Sequence, residues 1–150
     1  MSEVMTKSMA RNIFYGGSAF FLLIFAGLVV QSHGYIRNTS TNAATLTDSV
    51  VAGKRIWEKK GCINCHTLLG EGAYYAPELG NVMKRWGVEK DPVAAKAALK
   101  AWMDAQPTGI KGRRQMPQFH LNDQEVGEMA DFLMWTNTIR NQNWPPKDAG

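Results

Sequence analysis

By hydrophobic and polar positions alone, the chain divides into a long apolar stretch, a polar stretch and a region of helical periodicity. From Ile13 to Val30 no side chain is charged (IFYGGSAFFLLIFAGLVV), a run of 18 residues. As a helix rising 1.5 Å per residue it would be about 27 Å long, close to the ~30 Å hydrocarbon core of a bilayer. Residues 37–49 (RNTSTNAATLTDS) are rich in Ser, Thr and Asn and predict a linker or an extended segment. After them Val50, Gly53, Ile56, Trp57 and Lys60 recur at three- and four-residue spacing, which predicts a helix over 50–60. A second helix is predicted from Asp91-Pro92 to Asp104, with Pro92 in its first turn and Val93, Ala97, Leu99 and Met103 as a modest apolar face. A third is predicted from Asp123 to Arg140. Asn122 would be its N-cap, Glu125 would complete a capping box, and Pro145-Pro146 would prevent any continuation. Val126, Met129, Ala130, Leu133 and Thr136 give this last helix a 3.6-residue period. No run alternates as a strand would, so the predicted class is all-α. Its parts are residues 1–36 (span about 13–30), a linker at 37–49 and a domain at 50–150.

The apolar run reads as a retained anchor rather than a cleaved signal peptide. A signal core is typically about 7–15 residues long and ends at a small-residue cleavage site. This run is longer, and Gln31-Ser32-His33-Gly34 offers no such site. Tyr15 and Tyr35 lie near its ends, as interfacial aromatics do. Lys7 and Arg11 precede the span and only Arg37 follows it closely, which predicts a cytoplasmic N-terminus and everything after residue ~31 outside, in a bacterial periplasm. Gly16, Gly17, Ala19, Ala26 and Gly27 would let a partner helix approach.

Composition narrows the function classes. With 45% hydrophobic and 20% charged residues the chain is globular rather than disordered. The net charge is +4 and the pI about 9.2, but no Lys/Arg block exceeds a pair. The basic residues are interleaved with other types, as in Lys54-Arg55-Ile56-Trp57-Glu58, so a solvated mixed surface is expected and no nucleic-acid partner.

The strongest chemical signal is Cys62-Ile63-Asn64-Cys65-His66, a C-x-x-C-H pattern that uses both cysteines of the chain. Two thiols three positions apart on one turn can each form a thioether to a haem vinyl group, and the following imidazole is then held beneath the iron. The competing readings are a structural disulfide, a thioredoxin-like redox pair and a zinc site. The redox pair would want a βαβ pattern around it. Zinc needs four ligands, with only His33 and His120 left to help.

A six-coordinate iron needs a second ligand. Met1, Met5 and Met9 precede the span, Met83 sits close to the motif among packing residues, and Met103, Met129 and Met134 fall on predicted helices as core filler. Met116 lies in Gly112-Arg113-Arg114-Gln115-Met116-Pro117, between two helices and 50 residues after His66. A Met-Pro pair shortly before the last helix resembles the distal-ligand loop of class I cytochromes c, and a thioether there would raise the potential. His120 is the alternative. Pro77, 11 residues after His66, is the candidate whose carbonyl would hold the other ring nitrogen of the histidine, as resemblance to the same class implies.

The longer run Cys62-Ile63-Asn64-Cys65-His66-Thr67-Leu68-Leu69-Gly70-Glu71-Gly72-Ala73-Tyr74-Tyr75-Ala76-Pro77-Glu78-Leu79 resembles the haem region of the cytochrome c subunit of bacterial nitric oxide reductase. The likeness extends over the anchor, the Met-Pro loop and the closing Trp144-Pro145-Pro146. It implies an electron-transfer subunit of an inner-membrane oxidoreductase, with one covalent haem c and no substrate site of its own. Electrons would come from a soluble periplasmic cytochrome c or cupredoxin. They would pass to a catalytic partner that carries haem b and a haem b3–non-haem iron centre, where nitric oxide becomes nitrous oxide. It also implies a calcium at the interface with that partner, with backbone oxygens of Gly72 and Tyr74 contributing. Tyr74, Tyr75 and Trp86 have a plainer reading as haem-crevice packing. The functional alternatives are an anchored cytochrome shuttle feeding a terminal oxidase, a haem-based gas sensor, and a module with no haem.

Overall fold

The computed structural model describes residues 5–41 and 43–141, so Trp144 and Pro145-Pro146 lie outside the described residues. The chain forms two compact units, Met1–Ser40 and Thr41–Gly150.

The first unit is helix α1, Lys7–Tyr35, continued by a wider π-type turn over Ile36–Ser40. Thr6 caps its start, accepting the amide of Met9 at 3.3 Å. The helical stretch Lys7–Ser40 reaches a mean hydropathy of 2.2 in its most apolar window, and none of α1 is buried. A helix this long and apolar can cross a membrane, where its exposed Phe20, Phe21, Leu22 and Leu23 would meet acyl chains rather than water.

The second unit is helical. Residues read as a linker are not extended: Ala43–Thr45 form a 3₁₀ turn, and the Trp135 indole donates to Thr45 Oγ1 at 3.0 Å. Thr47, in the same polar stretch, is the N-cap of α2 (Asp48–Lys59), accepting from the Val50 amide. A capping residue and a linker residue look alike until the following apolar period is weighed with them.

Helix α2 crosses α5 (Asp123–Asn137) at Gly53. A Cβ there would stand 2.1 Å from the Glu128 carbonyl oxygen and 2.6 Å from Phe132 Cβ, so only glycine allows this approach. One turn on, Trp57 packs on Phe132 with ring centroids 6.3 Å apart. In α5 the expected stripe Val126, Met129, Ala130, Leu133 and Thr136 is buried, joined by Phe132. The capping box is present: Asn122 Oδ1 accepts from the Gln124 and Glu125 amides, and Glu125 accepts from the Asn122 amide at 2.9 Å. The helix ends at Asn137, three residues before the expected end.

Between them α3 (Val82–Arg85) and α4 (Pro92–Asp104) complete the walls. α4 is capped by Asp91, as its position before Pro92 suggests. Its buried face differs from the expected one. Ala95, Leu99 and Met103 are buried at i, i+4 spacing, whereas Val93 is 79% exposed and Ala97 is exposed. A short side chain that permits close packing took the place of the larger one in the first turn. α3 buries Val82 and Met83, and four residues are too few to show a period.

The segment after the motif folds into a small antiparallel hairpin, β1 (Thr67–Leu68) with β2 (Glu71–Gly72), Thr67 opposite Gly72. Two-residue strands cannot show alternation, so the helical reading of the sequence omits them. Gly72, at φ 120°, lies where a Cβ would stand 2.3 Å from the His66 carbonyl oxygen. The loop is held from inside by Glu78, only 4% exposed. Its carboxylate accepts from the amides of Leu69 at 2.7 Å, Gly80 at 2.9 Å and Gly70 at 3.3 Å. Leu69 has φ 55°, a costly conformation for a branched residue, and the charged bond to its amide helps keep it there. Burial pushes the Glu78 carboxyl up, but the bonds outweigh burial and hold it below the ordinary carboxylate value. The buried Thr67 hydroxyl favours the same charge, although it makes no hydrogen bond of ordinary geometry.

Gly53→Ala forces α2 off α5 and lowers unfolding stability by about 1–3 kcal/mol, measured by chemical denaturation. Because the Glu78 value is depressed on folding, its stabilisation is complete above the unfolded value of 4.5 and is lost as pH falls through the lower folded value. Glu78→Gln therefore lowers Tm at neutral pH and flattens the fall in Tm on acidification, read from thermal melts across that range.

Candidate haem site

The C-x-x-C-H motif follows the end of α2. Cys62–Asn64 form a single 3₁₀ turn, in which the amides of Cys65 and His66 both donate to the Cys62 carbonyl, at 3.2 and 2.9 Å. That turn puts the two sulfur-bearing residues on successive corners with His66 directly after. Cys62 is buried, Cys65 is half-buried, and both are unbridged. Burial, the largest influence, raises the Cys62 thiol to about 11. A redox-active pair works through a thiolate available near neutral pH, and this thiol is protonated there. Among the described residues no three His, Cys, Asp or Glu side chains converge on a point, as a protein-built zinc site would require.

His66 Nδ1 lies 2.8 Å from the Pro77 carbonyl oxygen. A carbonyl can only accept, so Nδ1 carries the proton and the lone pair sits on Nε2, the tautomer suited to a metal ligand. The indole of Trp57 lies beside the ring, centroids 6.4 Å apart, so the α2–α5 crossing also packs against this imidazole.

His66 opens onto a cleft of about 910 Å³ between the helices. Cys62 and Pro77 stand at its edge, Leu99 and Met103 of α4 and Met129 and Leu133 of α5 form apolar wall, and Met116 enters from the loop between those helices. The space, the apolar lining and the histidine tautomer fit a haem fastened through the motif.

The structure thus brings Cys62, His66, Pro77 and Met116 to one cavity. Cys65 adjoins them through its turn but does not line it. His120 is exposed, has φ 50° and is not part of the lining, which removes it as the rival ligand. Met103 and Met129 do line the cleft, but as buried core residues of their helices. Gly72 and Tyr74 are exposed on the hairpin side, with the Tyr74 hydroxyl donating to the Gly70 carbonyl at 3.2 Å. Tyr74 and Tyr75 are not crevice packing: they are 71% and 49% exposed and do not line the cleft.

Trp86 does line it, and pairs with Trp102, centroids 6.2 Å apart. Sequence reasoning missed Trp102 and Arg85, because the four-residue α3 that carries Arg85 could not be seen. Arg85 is the charged residue of the lining. Its guanidinium donates to the Glu78 carbonyl at 2.6 Å and to the Asn81 side chain.

Comparison with known proteins agrees with this geometry. The cytochrome c family matches residues 50–137. Over the full length of both chains, the protein is 65% identical to the cytochrome c subunit of nitric oxide reductase from Paracoccus denitrificans. It is 59% identical to the corresponding protein of Cereibacter sphaeroides and 53% identical to that of Stutzerimonas stutzeri, again over both full lengths. A cytochrome c domain of this kind carries covalently bound haem c, and the chain belongs to the family of nitric oxide reductase cytochrome c subunits.

Proposed function

We propose that this chain is the membrane-anchored electron-transfer subunit of a nitric oxide reductase, with α1 spanning the inner membrane and the haem domain in the periplasm. Cys62 and Cys65 form the thioethers, His66 is the proximal ligand through Nε2, and Met116 is the distal ligand. The observation that carries the reading is the meeting of an oriented His66 and the loop-borne Met116 in one apolar cleft beside Cys62.

Bound haem c supplies a one-electron couple. The chain's part is to hold both axial positions, exclude water and tune the potential. The Pro77 carbonyl makes the His66 imidazole a better donor to metal, while a thioether on the opposite side favours the reduced state. With both positions held by the protein, the domain has no place for substrate and relays electrons only. They come from a soluble periplasmic cytochrome c or cupredoxin and leave for the catalytic subunit, which carries haem b and the haem b3–non-haem iron centre that reduces nitric oxide. The excess of Lys7 and Arg11 over Arg37 supports the cytoplasmic N-terminus. A calcium ion at the interface with that subunit belongs to the same reading. Gly72 and Tyr74 offer backbone oxygens on an exposed hairpin beside the motif, and such hard oxygens suit calcium.

Full-length chain co-expressed with its catalytic subunit should stain for haem on a denaturing gel, and a Cys62→Ser/Cys65→Ser double variant should not. Met116→His keeps two axial ligands and lowers the potential by at least about 59 mV, a tenfold change in a one-electron equilibrium. Redox titration measures this. Nitric oxide reduction driven by a periplasmic donor then slows, and an unchanged potential removes Met116 as ligand.

A further inference from the structure

The loop from Ala105 to Asn122 has no regular structure, yet it must present Met116 to the cleft. Its residues divide into three groups by what they hold. Gln115 knits the loop to itself: Oε1 accepts from Thr108 Oγ1 at 3.0 Å and the Gly109 amide at 3.1 Å, and Nε2 donates to the carbonyls of Ile110 at 3.0 Å and Arg113 at 2.9 Å. These bonds set the loop's shape but do not seat it on the domain. After Met116, Gln118 Nε2 donates to the Met103 carbonyl of α4 at 2.8 Å, and Lys60 Nζ donates to the Phe119 carbonyl at 3.1 Å. Before Met116, the tie to the domain is Arg114. Its guanidinium carbon lies 4.5 Å from the centroid of the Tyr75 ring, and its Nη1 donates to the Tyr75 carbonyl.

This contact has a particular place. Arg114 is two residues before Met116, and Tyr75 is two residues before Pro77, whose carbonyl orients His66. One side chain therefore fastens the Met116 loop to the segment that holds the opposite ligand. A planar guanidinium can cover a ring face and donate from its edge at once, which an ammonium cannot. We propose that Arg114 and Tyr75 form a strap across the mouth of the cleft that holds Met116 in its ligating position and keeps external ligands from displacing it. Both are positioning residues, and the proposal rests on Met116 being the sixth ligand.

The test uses the haem-loaded full chain in detergent, with imidazole as the competing ligand. The readout is the near-infrared magnetic circular dichroism band of Met-ligated ferric haem. Removing the strap with Arg114→Ala should tighten apparent imidazole binding on the order of three- to tenfold, the effect of an exposed cation–ring contact plus one hydrogen bond. Tyr75→Ala, which keeps the backbone carbonyl, should shift binding in the same direction by less. Tyr75→Phe, which keeps ring and carbonyl, should match the parent, and Arg114→Lys should fall between parent and Arg114→Ala. The double variant Arg114→Ala/Tyr75→Ala should bind no tighter than Arg114→Ala alone, because the two act through one contact. The global unfolding midpoint should stay unchanged while imidazole binding shifts. Unchanged imidazole binding in both alanine variants, strictly additive effects, or a shift fully matched by loss of global stability would each overturn the strap. Absence of the band from the parent chain would instead overturn the ligand reading, and the strap with it.

Discussion

The contact on which the haem domain depends is the close crossing of α2 and α5 at Gly53. Because no Cβ intervenes, the backbone of α2 approaches the Glu128 carbonyl, and the rows on either side interlock. Trp57, one turn further on, is then pressed between Phe132 of α5 and the imidazole of His66. A helix crossing made for packing thereby fixes one side of the iron-binding residue. The turn bearing Cys62 leaves the end of the same helix, so the position of the motif in space is inherited from that crossing.

Helices and loops divide the work in the site. Helices α4 and α5 supply apolar wall through Leu99, Met103, Met129 and Leu133, residues that stay buried with or without a cofactor's electronic state in play. Loops supply the groups that would touch iron and those that orient them: Met116 from one, Pro77 from the other. Loops need something to hold them, and each has a different device. The segment around Pro77 is wrapped on the buried Glu78 carboxylate, a charge satisfied by backbone amides. The segment around Met116 is knitted by Gln115 and fastened by Gln118, Lys60 and Arg114. A buried anion with three amide donors is strong and directional, while the surface contacts of the Met116 loop are individually weak.

Much of this was legible beforehand, where local chemistry decides structure. Asn122 and Glu125 cap a helix through atoms three residues apart, and the stripe from Val126 to Thr136 repeats with the helical period. The C-x-x-C-H spacing carries its chemistry in the motif itself. Less was legible where a long-range contact decides. Val93 rather than Ala95 looked like core in α4, because hydrophobicity favours the larger side chain and only the neighbouring helix reveals that a small one fits. The choice between Met116 and His120 had only loop position to support it, until one entered the cleft and the other faced solvent. Glu78 looked like a solvated loop acid beside a proline, since its partners are amides brought in by folding.

Written into the chain order were the apolar span, the cap-and-period helices and the paired thiols with their histidine, all features whose interacting atoms are few residues apart. Tertiary structure alone decided the His66 tautomer through the Pro77 carbonyl, the burial of Glu78, the side of α4 that faces inward, and the meeting of Arg114 with Tyr75. Each of these depends on groups that approach only after α2 and α5 have crossed. Sequence spacing constrains neighbours along the chain, whereas which distant groups share a cavity is set by packing.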